Sequence, residues 1–487
     1  MLCPAAGGTH EDGRVNEPKD ARIRHVGLTT KLYYGFGSVA YGVKDNGFSY
    51  LLLIFYNQVL GLPAAWVGAG IMTALIVDAI TDPIVGYVSD NFHSRLGRRH
   101  PFMYASALPV SAAFYLLFSP PQGLEPEALL AYFFAIAVLV RISITFYEIP
   151  STSLVAELTD DYDERTSMLA YRFFFGWWGG LTMSVLAYLV FLPQAMGGIL
   201  YRQGYQHYGL AASALIFVAI MTSATGTHRH IPTLRKPPAK RSFDPAQTMG
   251  ELRETLSNRS FLVLFLSSLF SAMAAGVSTS LNIYFNTFFW ELDTGQIGLL
   301  TLPLFLAAVF ALVVAPILSK QFGKKRAGIG VATIAMIGAP LPMVLRLIGF
   351  FPENGTAALF PTLLVFNLVE VTLIIIASIL ISSMVADVVE ESELRTGRRS
   401  EGVFFAARSF AQKAVHGIGT FSATMILVVI EFPKDAGPGE VSPEVIRNLA
   451  LVYIPVLMVV YMAAVGLLTG YRISRETHAE TLQELSS

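Results

Sequence analysis

Cysteine is all but missing: Cys3 is the only one among 487 residues. A single thiol forms no internal disulfide, so no disulfide framework is expected. Cys3 also lacks the four-residue context of a lipoprotein site, and neither a metal nor a redox role is expected of it. Charge is scarce too. Charged residues make up 14% of the chain, against roughly 25% in an ordinary soluble protein. The net charge is −1, so no excess of either sign points to a nucleic-acid partner. The opening "MLCPAAGGTHEDGRVNEPKD" has no apolar core, which argues against a cleavable secretory signal. Membrane insertion then falls to the first apolar helix.

Apolar residues are what the chain has in excess. They make up 53% of it, with a mean hydropathy of +0.54. A bilayer core is ~30 Å thick and takes about 20 apolar residues per helix. Runs such as "LLVFNLVEVTLIIIASILISSMVA" and "LALVYIPVLMVVYMAAVGLLTG" meet that length. Hydropathy predicts an all-α membrane protein of about twelve transmembrane helices. They start near Tyr33, Ala64, Pro101, Ala128, Tyr171, Tyr208, Ser260, Gly295, Gly328, Ala357, Val403 and Leu449. Connections after even-numbered spans hold Arg95, Arg98 and Arg99; Arg165; Arg229, Arg235, Lys236, Lys240 and Arg241; Lys320, Lys324, Lys325 and Arg326; Arg395, Arg398 and Arg399. Those after odd-numbered spans hold little beyond Arg202, Lys434 and Arg447. Positive charge stays on the cytoplasmic side, so both termini are expected there, as Arg14, Lys19, Arg22 and Arg24 agree.

A long polar stretch from Gly226 to Ser260 separates six spans from six. The expected division is a tail at 1–30, a six-helix half at 31–226, a central loop at 227–259, a second half at 260–472 and a tail at 473–487. Two internal echoes support duplicated halves. "SLVAELTDDYDERT" from Ser153 matches "SMVADVVEESELRT" from Ser383, and "RLGRRHPF" after span two matches "QFGKKRAG" after span eight. Parallel repeats of this kind build transporters with a site between the halves.

Ionisable residues inside membrane helices cost ~2.5–3.5 kcal/mol each and need a reason. Span one carries Lys44 and Asp45, and span two carries Asp78 and Asp82 one turn apart. On span four, Arg141, Thr145 and Glu148 share one face at i, i+4, i+7. Span eleven carries Arg408, Gln412, Lys413 and His416; span seven Asn282 and Asn286; span ten Asn367 and Glu370. Such groups also serve simply to lock helices together. That reading fits Glu370 and the span-seven asparagines equally well, and His416 is best read as a packed histidine. Asp78 and Asp82 differ. Two carboxylates ~6 Å apart repel unless a cation or proton lies between them. With the hydroxyls of Thr81 and Thr145 they form a hard-oxygen set suited to Na⁺ or H⁺. Asp90, Arg95, Arg98 and Arg99 at the end of span two form a candidate cytoplasmic latch as well as a topology signal.

The stretches "DAITDPIVGYVSD…SRLGRR", "YEIPSTSLVAELTDDYDERTSMLAYRF" and "MVADVVEESE…RRSEGVFFAARSFAQKA" resemble the glycoside–pentoside–hexuronide:cation symporters. These are the melibiose-permease-like branch of the major facilitator superfamily. The resemblance runs from about Tyr33 to Gly470 and implies a major facilitator fold and secondary transport. By position, Asp78 and Asp82 match the family's cation-site carboxylates and Thr145 its span-four hydroxyl. Asp45 and Glu148 match acids that hold sugar hydroxyls, with Glu148 in place of the more familiar aspartate. Arg172 matches the arginine beside them, and Lys413 the span-eleven lysine that affects coupling. Thr81 stands where sodium-using melibiose carriers have asparagine. Thr152 stands where they have a tryptophan that stacks on a sugar ring. Vertebrate lysolipid importers share a "DAITDP"-like motif, so it specifies cation coupling better than the cargo.

The expected function is cation-coupled symport of a sugar or glycoside by alternating access, with Na⁺ or H⁺ between Asp78 and Asp82. Substrate would be held by Lys44, Asp45, Arg141, Glu148, Thr152, Arg172 and Lys413. A lysolipid cargo is the alternative. An intramembrane prenyltransferase is a remote one, since aspartates at i, i+4 also hold Mg²⁺ and diphosphate. Apart from the coupling ion no cofactor is expected. The partners are a small-molecule substrate and membrane lipid, and a monomer in the plasma or inner membrane is expected.

Overall fold

The computed structural model describes residues 26–159, 161–234, 259–396, 401–434 and 436–471. The N-terminal tail with Cys3, the basic cluster from Arg235 to Arg241, Arg398 and Arg399, and the tail beyond residue 471 lie outside them, as does the side chain of Arg408. Among the described residues there is no strand, and ten helices are long and apolar enough to cross a membrane. The segmented run from Leu28 to Val59 and the Glu401–Val429 helix accompany them, which accounts for twelve passes.

In chain order, α1 is the segmented run that begins with Leu28–Phe36 and Val39–Asn46. It is followed by α2 (Ala64–Asn91), α3 (His100–Phe118), α4 (Pro126–Leu158), α5 (Tyr162–Leu186) and α6 (Arg202–His228). The second six are α7 (Arg259–Tyr284), α8 (Pro303–Phe322), α9 (Lys324–Gly338), α10 (Leu359–Thr396), α11 (Glu401–Val429) and α12 (Pro443–Thr469). Several helices begin before their most apolar stretch. The fifth was expected near Tyr171, yet it starts at Tyr162. The Asp161 carboxylate caps it there, accepting from the Glu164 N–H at 2.8 Å. The acidic segment thus belongs to the helix start, where negative charge meets the helix dipole.

The packing repeats with an offset of six helices. α1 lies along α5 and α6, as α7 lies along α11 and α12. α2 and α3 pack on α4, as α8 and α9 pack on α10; α3 also packs on α6, as α9 does on α12. Small residues permit the closest crossings. A Cβ on Gly42 of α1 would overlap the Gly176 carbonyl of α5, and one on Gly276 of α7 would overlap the His416 carbonyl of α11. Between the halves, α2 runs along α11, and α1 and α5 meet α7 and α8. One end of this interface is tied by polar contacts. Tyr284 donates to Asn57 Oδ1 at 2.7 Å, and Gln58 bonds the backbone of Pro433 at 3.1 Å and of Ala436 at 3.2 Å.

Local irregularity coincides with the polar residues. α1 passes into a π-helical turn at Gly47–Leu51, directly after Lys44 and Asp45, a distortion that often marks functional positions. Pro83 inside α2 has no N–H, so the Ala79 carbonyl one turn back loses its helical donor beside Asp78 and Asp82.

Candidate functional site

Seven charged side chains from α1, α2, α4 and α11 form one linked network at the half–half interface. Lys413 of α11 lies between the two α2 carboxylates, with Nζ 2.5 Å from Asp82 Oδ2 and 3.2 Å from Asp78 Oδ2. Arg141 of α4 continues the chain, with Nη1 3.4 Å from Asp78 Oδ2 and 3.1 Å from Asp45 Oδ1. Lys44 follows, 2.9 Å from Asp45 and 3.6 Å from Glu148. Such a chain is tolerated at membrane depth because each charge has an opposite neighbour.

The network contains four acids (Asp82, Asp78, Asp45 and Glu148) and three bases (Lys413, Arg141 and Lys44). The directly paired set therefore carries one carboxylate in excess. The imbalance has an address: Asp82 Oδ1 is buried and makes no hydrogen bond among the described residues. The Thr145 hydroxyl lies 3.0 Å from Asp78 Oδ1 and 3.0 Å from the Arg141 carbonyl, which places a hard oxygen beside the pair. Thr81 gives its proton to the Asp78 carbonyl at 3.1 Å, so its hydroxyl is held along its own helix.

A cavity of about 390 Å³ opens on this network, walled by Lys44, Asp45, Arg141, Glu148, Lys413 and His416. Five of the seven expected substrate residues line it. Two do not. Thr152 donates to the Glu148 carbonyl at 2.6 Å. Arg172 is buried behind Glu148, where it donates to Ser151 Oγ at 3.0 Å and the Glu148 carbonyl at 3.3 Å. The ring faces of Tyr41 and Tyr34 stack over its guanidinium at 4.9 and 5.9 Å. Arg172 thus holds the α4 turn that carries Glu148, and its positive charge forms a second row behind the network. The Arg141 guanidinium lies 4.3 Å over the Phe48 ring, a cavity residue that the sequence did not single out.

At the end of α2, the four latch candidates divide. Arg99 pairs with Asp90 and lies 2.9 Å from Glu157 Oε1; Arg98 reaches the same oxygen at 2.8 Å. Arg99 also donates to Ser89 Oγ at 2.7 Å. Arg95 is exposed and stands outside the cluster. All these partners come from α2, α4 and the connection before α3, so the cluster braces the inside of one half. Its central acid, Glu157, was not among the expected site residues. The echo held the clue: Glu157 corresponds to Asp387 and Arg98 to Lys324. Lys324 and Asp387 are paired at 2.6 Å.

The sequence matches the profile of the MFS/sugar transport protein family over residues 33–475. An uncharacterised symporter of Synechocystis sp. is 27% identical, covering 94% of this chain and 97% of that protein. An isoprimeverose transporter of Lactiplantibacillus pentosus is also 27% identical, covering 82% and 80%. A putative glycoside/cation symporter of Escherichia coli is 24% identical, covering 92% of each. Among solved structures, the inward open conformation of the xylose transporter of Escherichia coli superposes with a TM-score of 0.60 at 15% identity, covering 93% of this chain and 98% of that one.

Proposed function

The chain belongs to the MFS/sugar transport protein family, and from that membership we propose how its charge network couples a cation to sugar transport. The protein is an integral membrane symporter of the sugar–cation type and not an enzyme. The α2 aspartates accordingly serve a coupling ion, and the prenyltransferase reading is set aside.

The observation that carries the mechanism is Lys413 bridging Asp78 and Asp82 while Asp82 Oδ1 has no hydrogen bond among the described residues. The network's four carboxylates face three bases, which leaves it one positive charge short. A proton or Na⁺ at Asp82, with the Thr145 hydroxyl on the neighbouring Asp78, supplies it. Its arrival weakens the hold of Asp82 on Lys413 and frees that ammonium to face the cavity. Sugar hydroxyls then bind Asp45 and Glu148 as acceptors and Lys44 and Arg141 as donors, through charge-assisted hydrogen bonds. The charged lining favours a hydroxylated ligand over a lysolipid. Coupling follows because each ligand lowers the cost of binding the other, and the effect is reciprocal. Positive-inside asymmetry supports cytoplasmic termini. The end tied by Asn57 and Gln58 is then the outer one, and the cavity faces inward.

Uptake of a sugar panel into proteoliposomes, driven by an imposed Na⁺ gradient or pH gradient, tests this. Accumulation above equilibrium with one of the two gradients is the expected result. Mere equilibration with either would make the protein a uniporter and end the coupling assignment. Replacing Lys413 with methionine should leave cation binding intact or tighter while weakening sugar binding about tenfold, the cost of one charge-assisted hydrogen bond. Unchanged sugar affinity in Lys413→Met would remove Lys413 from the mechanism.

A further inference from the structure

A second cavity, of about 510 Å³, lies beside the first. The two share Ala272, Ala275 and Gln412 as walls. Their chemistry differs. The first is lined by bases and acids together. Among the described residues, the second has no lysine, arginine or histidine in its lining, and its single carboxylate there is Glu370 of α10. Around it stand amides: Asn282 of α7 and Asn286 of the π-helical turn Phe285–Phe289 that continues it, Asn367 of α10 and Gln412 of α11. Asn286 donates to Asn282 Oδ1 at 2.9 Å. Asn367 Oδ1 is buried with no hydrogen bond among the described residues.

An ionised Glu370 calls for a partner that offsets its cost at membrane depth. No ion pair to Glu370 is formed among the described residues, and its own cavity supplies no base. An anionic ligand would be repelled from such a lining. A neutral ligand rich in O–H donors would satisfy both Glu370 and the open Asn367 oxygen, since adjacent hydroxyls donate well to one carboxylate. Trp177, Tyr50 and Tyr188 border the same space with aromatic side chains suited to the apolar side of such a ligand.

We propose that this α7–α10 cavity is a second substrate compartment, which takes the second hydroxylated unit of a glycoside or disaccharide, with Glu370 and the neighbouring amides as its contacts. The proposal rests on the sugar-symport reading above and goes further: it makes two-unit sugars, and not free monosaccharides, the preferred cargo. One unit engages Asp45 and Glu148 in the first half, and the other engages Glu370 in the second. A ligand that spans both halves is also one whose binding draws them together.

The test uses the full-length protein, purified in detergent and titrated calorimetrically with matched probes. These are xylose and xylobiose, glucose and maltose, and galactose and melibiose, each with the methyl glycoside of the monosaccharide. Wild-type protein should bind at least one disaccharide more tightly than its component sugar. Glu370→Gln keeps the side-chain shape, and it should cut that disaccharide-to-monosaccharide affinity ratio about tenfold, as the loss of a charge-assisted bond predicts. Asn282→Ala should lower the same ratio in a second, independent variant. Glu148→Gln should weaken both classes together. A ratio unchanged in both Glu370→Gln and Asn282→Ala overturns the second compartment while the sugar site stands. Wild-type protein that binds no member of the panel overturns the sugar reading itself, and the compartment with it.

Discussion

Asp82→Asn abolishes the cation's stimulation of sugar binding. In the native protein Lys413 and Arg141 both pair with Asp78, Lys413 also pairs with Asp82, and Asp82 Oδ1 is buried with no hydrogen bond among the described residues. Asparagine removes the carboxylate in excess. The network then holds three acids and three bases, and it calls for no further cation. Truncating one member of a buried charged set costs about 2–5 kcal/mol in binding, which is ~30-fold or more in cation affinity. Sugar affinity measured with and without Na⁺, and at two pH values, should become the same in the variant. Transport against a gradient should stop, while exchange of sugar at equilibrium continues. A variant that still gains sugar affinity on adding the cation would show that the ion binds elsewhere.

Glu157→Gln lowers the thermal stability of the protein markedly, and Asp387→Asn lowers it little. Glu157 is the shared acceptor of Arg98 and Arg99, and its side chain is 3% exposed. Arg99 is almost as deeply enclosed, at 4%. Losing the carboxylate removes the acid that Arg98 reaches and one of the two acids around the buried Arg99, a change on the order of 3 kcal/mol. The corresponding pair in the second half is Lys324 with Asp387, and Lys324 is 33% exposed. Water reaches Lys324, so this pair is the more screened of the two and its loss costs less. Thermal unfolding of the two purified variants, compared in one detergent, should show the asymmetry. Equal shifts would mean that the echo places residues alike without giving them like weight.

Much of the molecule was legible along the chain. Membrane residence, the helix total and the duplicated halves come from hydropathy and from repeats that are contiguous in sequence. Asp78 and Asp82 stood out because a carboxylate in an apolar helix is anomalous wherever its partners lie. The boundaries were less legible: α5 starts at Tyr162 because an aspartate caps a polar first turn, which hydropathy alone does not register. Thr152 and Arg172 were named as substrate contacts by position, and the fold turns one to its own helix and encloses the other.

Which groups have to be paired inside the membrane is therefore written along the chain. Desolvation acts on each residue singly, and it can be read from each residue's neighbours. With whom they pair is a matter of the fold. Lys413 meets Asp82 across 331 positions, and Glu157 meets Arg98 across 59. Glu370 lines a cavity that holds no base among the described residues. Those outcomes depend on which helix faces cross, and that is set by close packing of small residues such as Gly42 and Gly276 on helices far apart in sequence.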